Sequence, residues 1–273
     1  MQLVLGTWYS VLNMDLKTIL LTESDRIATL AFNRPEKRNA ISYELIDEMF
    51  LALAAVERSD AQVLIITGAG MAFCSGMDLD NLRAITTRSH SQNLGDSQTM
   101  ARLFRAIYEF PKPTIAAVNG AAMGGGCGIA TLCDFTVASD EAKFGYTEVK
   151  IGFLPAIVST FLIQQVGEKR ARDLLMTGRI FSAEEAKHLG IVTDVVSGEQ
   201  LMEWARELAG TLMQSSPASL RATKRLLSAF AKDVLDRRIE LAIEENARIR
   251  TTDDFREGIT AFIEKRKPRW SGK

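Results

Sequence analysis

Residues 113–139 read P-T-I-A-A-V-N-G-A-A-M-G-G-G-C-G-I-A-T-L-C-D-F-T-V-A-S, and this run holds the repeating unit of the fold. A short apolar stretch of strand composition stops at Asn119-Gly120, three consecutive glycines open an otherwise apolar helix, and F-T-V-A-S returns to strand composition. The same order occurs twice upstream. R-I-A-T-L-A-F at 26–32 alternates like a strand, N-R-P-E-K-R-N-A-I-S breaks it, and a helical period runs from Tyr43 to Val56. V-L-I-I-T-G-A-G then ends in glycines, F-C-S-G-M-D-L-D makes a loop, and a helix resumes around Gln98 and runs to Tyr108. Between them, residues 86–98 are polar and poor in β-branched apolar side chains, which predicts a mobile surface segment. Strands alternating with helices predict an α/β architecture.

Past about Val195 the strand signals cease. Helical patterns cover 200–213, 217–231, 235–249 and 253–265, and in the last of these Phe255, Ile259, Phe262 and Ile263 form one apolar stripe. Such a tail packs either on a partner chain or on the α/β core of its own chain. The expected division is an N-terminal extension at 1–13 lying outside the core, an α/β core at 14–199 and a helical region at 200–273.

Composition narrows the function classes. Lys plus Arg number 33 against 34 for Asp plus Glu, so the net charge of −1 gives no global field for nucleic acid or a membrane surface. Cys74, Cys127 and Cys133 lack metal-ligand spacing, and His90 and His188 add no cluster, so the cysteines read as reduced thiols of a cytoplasmic protein. No basic region precedes the short apolar stretch at the N-terminus, and no apolar run is long enough to span a bilayer. A secreted or membrane-embedded protein is not expected.

Three segments could carry chemistry. In 121–133, glycines at the head of a helix let a ligand approach the backbone and leave N–H groups free at the positive end of the dipole, a place for an oxygen that becomes anionic. The Lys-Ser/Thr of a phosphate loop is absent. In 73–78 (F-C-S-G-M-D), Gly76 allows a turn that aims the Met77 N–H at the space served by the Gly125 N–H. In 144–149, Glu148 stands among apolar residues, where desolvation would raise its pKa and suit it to proton transfer. Singly, each has an ordinary reading: a close helix packing, a strand-to-helix loop, a solvated glutamate.

Together they resemble the crotonase (enoyl-CoA hydratase/isomerase) superfamily from about Leu16 to Trp270. N-R-P-E-K-R-N-A at 33–40, F-C-S-G-M-D at 73–78, N-G-x-x-x-G-G-G at 119–126, C-D at 133–134, F-G-x-x-E at 144–148 with G-x-x-P at 152–155, and D-x-R-E-G-x-x-A-F-x-E-K-R at 254–266 fall in family order. The resemblance implies a crotonase-like spiral of ββα repeats with a C-terminal α-helical trimerisation region, giving a homotrimer or hexamer. It implies an oxyanion hole made by the N–H groups of Met77 and Gly125, with Gly76 and Gly124 shaping it, and Glu148 as acid and base. The backbone at Ala40 and Leu79, beside Asp78, would receive the adenine of coenzyme A. Arg34, Lys37 and Lys265 of a neighbouring subunit are candidates for the phosphates, with Phe262 nearby. Coenzyme A is part of the substrate, and no separate cofactor or metal is implied.

One position departs from the pattern. Hydratases of this superfamily carry a second glutamate on the glycine-rich helix, where this chain has Gly128. Branches that resemble hydratases of branched or carboxylated enoyl-CoAs, such as methylglutaconyl-CoA, also place a small residue there, and the run Val149–Phe161 resembles them; a glycine at 128 is expected to make room for a bulkier acyl group. The leading expectation is addition of water to a 2-enoyl-CoA. The alternatives are a Δ3-Δ2-enoyl-CoA isomerase using Glu148 alone, and a CoA- or RNA-binding protein without turnover, the latter supported only by K-R-K-P-R-W at 265–270.

Overall fold

The computed structural model describes residues 10–11 and 15–273. The chain runs β1 (Ser10–Val11), β2 (Ile19–Ser24), β3 (Ile27–Phe32), α1 (Tyr43–Arg58), β4 (Val63–Gly68), β5 (Ala72–Cys74), α2 (Leu79–Ile85), α3 (His90–Tyr108), β6 (Thr114–Val118), β7 (Ala121–Met123) and α4 (Gly125–Leu132). It continues through β8 (Phe135–Ser139), β9 (Lys143–Gly145), α5 (Ala156–Thr177), β10 (Ile180–Ser182), α6 (Ala183–His188), β11 (Asp194–Val196), α7 (Leu201–Met213), α8 (Pro217–Ile249) and α9 (Asp253–Ile263).

The strands sort into a larger sheet in the order β1-β2-β3-β4-β6-β8-β11 and a smaller one in the order β10-β9-β7-β5. In each repeat the first strand (β4, β6, β8) joins the larger sheet, the second (β5, β7, β9) joins the smaller, and helical structure follows. This is the predicted ββα spiral. From β3 to β11 the larger sheet is parallel, and both of its faces are covered. Leu64 and Ile66 of β4 point into the main core while Val63 and Ile65 point into a second cluster under α7, closed by Leu201, Ala205 and Ala209. Burial on both faces is why β4 reads as a continuous apolar run and not as an alternation.

The structure corrects the sequence reading in several places. The polar segment 86–98 is largely the first half of α3, which Ser89 caps through a reciprocal bond with Gln92. Its Asn93 and Ser97 are fully buried, and the Ser97 hydroxyl donates to Asn246 Oδ1 on α8 at 2.8 Å. A polar side chain can be buried where a polar partner waits, and the partner lies far away in sequence. The patterns at 217–231 and 235–249 are one uninterrupted helix, α8, because the residues between them contain neither glycine nor proline and Lys232 pairs with Asp236 one turn on, at 2.6 Å. The stripe on α9 is not offered to another chain: Phe255 and Ile259 are buried against Leu82 and Ile85 of α2 within the same subunit, and only Phe262 remains half exposed. Of the expected extension at 1–13, Ser10–Val11 is paired antiparallel with Thr22–Glu23 at the sheet edge; the rest lies outside the described residues. Among the described residues no helix is long and apolar enough to cross a membrane.

Candidate active site

The loop that carries Met77, the head of the helix that begins at Gly125 and the carboxyl of Glu148 meet around Gly124. The first N–H belongs to Met77, in the loop after β5. Gly76 holds φ +89°, a conformation that a side chain disfavours, and a Cβ there would come within 3.0 Å of Met123 O and 3.9 Å of Gly124 Cα. The loop after β5 therefore rests directly on the turn between β7 and α4. Met77 also forms a parallel bridge with Ile41, in which the Ile41 N–H donates to Gly76 O at 2.8 Å and the Asp78 N–H donates to Ile41 O at 3.0 Å. The Met77 N–H consequently faces away from Ile41, and among the described residues it has no backbone acceptor.

The second N–H belongs to Gly125, the first residue of α4. Gly124 precedes it at φ +52° and is fixed by its own N–H donating to Gly145 O at 2.8 Å. Gly126 sits so close to β5 that a Cβ would fall 2.3 Å from Cys74 O, which locks the helix head onto the strand that leads to Met77. The glycine run thus packs a helix closely, and among the described residues the Gly125 N–H at the positive helix end has no backbone acceptor.

Glu148 opens a short 3₁₀ turn, Glu148–Ile151. The Phe153 N–H donates back to Glu148 O at 3.0 Å. The turn is wedged against α9: a Cβ on Gly152 would lie 2.4 Å from Asp254 O, and one on Gly258 would lie 2.3 Å from Ile151 O. The carboxyl reaches over Gly124, with Oε1 3.2 Å from where a Cβ of that residue would be. Although the residue as a whole keeps some exposure, Oε2 is shut off from solvent and has no hydrogen-bond partner. Desolvation of this carboxyl dominates over its own backbone N–H and pushes its pKa from 4.5 up to about 7. A group poised there can accept and return a proton near neutrality.

Gly128 does not create room. A Cβ on it would lie 2.5 Å from Val158 Cγ1 and 3.0 Å from Phe104 Cε2, so the volume left by the absent side chain is filled by these two residues. The expected space for a bulkier acyl group at this position is corrected accordingly; the signal was distributed over α3 and α5, where no local reading of α4 could find it. The flanking thiols are inert packing groups: burial pushes Cys74 and Cys127 up to about 12. Behind Cys127, the hydroxyls of Thr131 and Tyr146 share a buried hydrogen bond of 2.6 Å.

The residues expected to meet the nucleotide are arranged differently from one another. Arg34 is already engaged, donating from Nη2 to Asp78 Oδ2 at 2.8 Å and from Nη1 to Ala40 O at 2.6 Å. Burial works to raise the Asp78 pKa, but the Asp80 N–H and Arg34 outweigh it and hold the carboxyl below its usual range. Lys37 is exposed, with Nζ 3.8 Å from Asp80, and Leu79 is half exposed at the start of α2. Phe262 and Lys265 follow from a helix docked on α2 of the same chain. Two residues that the sequence reading passed over matter here: Ile41, which orients Met77, and Asn39, fully buried at φ +56°, whose amide donates to Ala69 O and Ala72 O at 2.9 and 2.7 Å. Asparagine tolerates the left-handed region, which was the available clue.

The model of the enoyl-CoA hydratase/isomerase family matches residues 22–273. A protein of Thermus thermophilus provisionally assigned as an enoyl-CoA hydratase is 44% identical over 249 residues, 91% of this chain and 98% of that one. The crotonyl-CoA hydratase of Syntrophomonas wolfei is 35% identical over 266 residues, 95% of this chain and 100% of its own. The crystal structure of an enoyl-CoA hydratase/isomerase from Xanthobacter autotrophicus Py2 superposes with a TM-score of 0.84 at 30% identity, covering 91% of this chain and 96% of that one. With the sequence motifs, the spiral and the two N–H groups beside a desolvated carboxyl all in agreement, the chain belongs to the enoyl-CoA hydratase/isomerase family.

Proposed function

We propose that this enzyme adds water across the 2,3 double bond of a 2-enoyl-CoA thioester. The observation that carries the reading is the unpartnered, desolvated Oε2 of Glu148 beside the head of α4. The thioester oxygen accepts hydrogen bonds from the N–H groups of Met77 and Gly125. Negative charge arriving on that oxygen as the enolate forms is met by fixed donors, each worth about 3 kcal/mol of transition-state stabilisation. Glu148, ionised, takes a proton from the water that attacks C3. The resulting carboxylic acid then gives a proton to C2, the thioester carbonyl re-forms and Glu148 is again a carboxylate.

Gly128 supplies no second carboxylate, so one residue serves both proton transfers in turn. The same fact favours a second reading, Δ3-Δ2 isomerisation, in which Glu148 removes a proton from C2 and delivers it to C4. A branched or carboxylated acyl chain stays within the proposal through the likeness of Val149–Phe161 to the methylglutaconyl-CoA branch, without the support that space at Gly128 would have lent. Loss of the ultraviolet absorbance of crotonyl-CoA, of a branched and of a carboxylated 2-enoyl-CoA tests hydration. Rapid conversion of 3-enoyl-CoA without water addition to any of them would replace hydratase by isomerase.

We further propose a homotrimer or a hexamer in a reducing compartment such as the cytoplasm. α8 supports assembly, with Leu227, Phe230 and Leu241 exposed at 60%, 73% and 64%. The three cysteines, buried as free thiols, support the compartment. Lys37 and Lys265 are proposed to meet the phosphates of coenzyme A, and the backbone of Ala40 and Leu79 its adenine.

A further inference from the structure

Arg34 stands in the stretch of sequence that points to coenzyme A, yet its guanidinium faces inward. One nitrogen donates to Asp78 Oδ2 and another to Ala40 O, at 2.8 and 2.6 Å, and the Asp78 side chain is only 4% exposed. Asp78 is the residue next to Met77. Its other carboxylate oxygen accepts from the Asp80 N–H at 2.9 Å and so caps α2, while its backbone N–H donates to Ile41 O. On the other side of Met77, the Ser75 N–H donates to Arg38 O at 3.0 Å. Residues 34–41 are themselves stapled: Arg38 and Asn39 both adopt left-handed backbone, the Arg34 N–H donates to Asn39 Oδ1, and the Asn39 N–H donates to Arg34 O. The peptide carrying the Met77 N–H is therefore held at both ends by one bracket, and among the described residues Arg34 is the side chain of the bracket that forms an ion pair with Asp78.

We propose that Arg34 is a positioning residue for the oxyanion donor Met77, and not a ligand of the coenzyme A phosphates. The inference rests on Met77 and Gly125 forming the oxyanion hole. A bidentate guanidinium suits this role because its planar fork fixes two acceptors at once, Ala40 O and Asp78 Oδ2, whereas a lysine ammonium keeps the charge but not the fork. A displaced hydrogen-bond donor stabilises the enolate poorly even when the substrate is still bound.

The decisive variant is Arg34→Lys, compared with the unaltered enzyme on two substrates: a full enoyl-CoA and the corresponding enoyl-pantetheine thioester, which lacks the nucleotide and every phosphate beyond it. Positioning predicts that kcat falls at least tenfold on both substrates, bounded by the roughly 10²–10³ that follows outright loss of an oxyanion donor, with KM changed less than threefold. An independent readout is the absorption of a bound aryl-conjugated enoyl-CoA, which moves to longer wavelength as the carbonyl is polarised; Arg34→Lys should bind this probe and shift it less. If the lysine variant raises KM for the CoA ester alone and keeps kcat and the full spectral shift, Arg34 is a phosphate ligand and the proposal is overturned. If the unaltered enzyme binds the probe with no shift at all, the oxyanion reading itself fails and takes the proposal with it, an outcome distinct from the first. Should Arg34→Lys fail to fold, Asp78→Asn, whose one amide oxygen can keep the cap to Asp80 while its NH2 group is turned on Arg34 and breaks that tie, is put through the same measurements: the same fall in kcat and spectral shift is expected, and an unchanged kcat with the full shift overturns the proposal.

Discussion

Replacing Glu148 by glutamine should make the protein more stable and nearly inactive at once, and the balance should depend on pH. The carboxyl is shut off from solvent and titrates near 7 in the folded chain, against an ordinary value of 4.5. The folded state thus holds this proton more tightly than the unfolded state does. The contribution of Glu148 to stability is highest below 4.5, where both states are protonated; it falls as the pH rises from 4.5 to 7, where only the unfolded state ionises freely, and levels off above that. At 1.36 kcal/mol for each tenfold in proton affinity, the full cost of ionised Glu148 is about 3 kcal/mol. Glutamine has the shape of the protonated acid and escapes that cost. Urea or thermal unfolding of the two proteins from pH 5 to pH 9 should show them nearly equal at the acid end, with Glu148→Gln ahead by about 3 kcal/mol above pH 7, a gain of several degrees in Tm for a chain of this size. In the same samples turnover should drop by about 10² to 10⁴, the usual worth of a placed proton-transfer group, while acyl-CoA binding persists because the oxyanion donors are backbone. Parallel stability curves for the two proteins across this range would refute the account of Glu148 as a desolvated base.

Gly128→Glu should not install a working second carboxylate: its Cβ alone would press within 2.5 Å of Val158 Cγ1, and overpacking of this kind costs about 1–3 kcal/mol or more, so the melting temperature should fall by several degrees. An unchanged melting temperature together with faster crotonyl-CoA hydration would show that α3 and α5 yield. Cys74→Ala and Cys127→Ala, at thiols whose pKa burial holds near 12, should each reduce turnover less than tenfold; abolition by either would argue for covalent thiol chemistry. Phe230→Asp, on the exposed apolar side of α8, should reduce the particle mass about threefold by light scattering, whereas an unaltered chain that already runs as a monomer at micromolar concentration would remove the basis for assembly.

The architecture was legible because its repeats carry local signals: β4 and β6 are short apolar runs ended by glycine, and α1 and α4 begin where Ser42 and Gly124 stop the preceding segment. Met77, Gly125 and Glu148 could be picked out as candidates because glycines mark the backbone geometry around the first two and apolar residues surround the glutamate. What stayed hidden depended on distant partners. Ser97 looked like surface until Asn246 lay opposite it; Gly128 looked like open space until Val158 and Phe104 closed on it; and the bond from Arg34 to Asp78, forty-four positions on, left no local mark. Lys232 and Asp236 made a helix look broken, since a solvated ion pair and a loop have the same polarity.

The close seating of the Glu148 turn on α9 makes the acid-base position a joint product of two distant stretches of chain. The Met77 and Gly125 N–H groups lie in the first half of the sequence, but the turn that carries Glu148 is seated on Asp254 and on the helix that begins beside it, more than a hundred positions further on. A side chain at Gly258, whose Cβ would fall 2.3 Å from Ile151 O, would therefore push on the turn that carries Glu148 from outside the site.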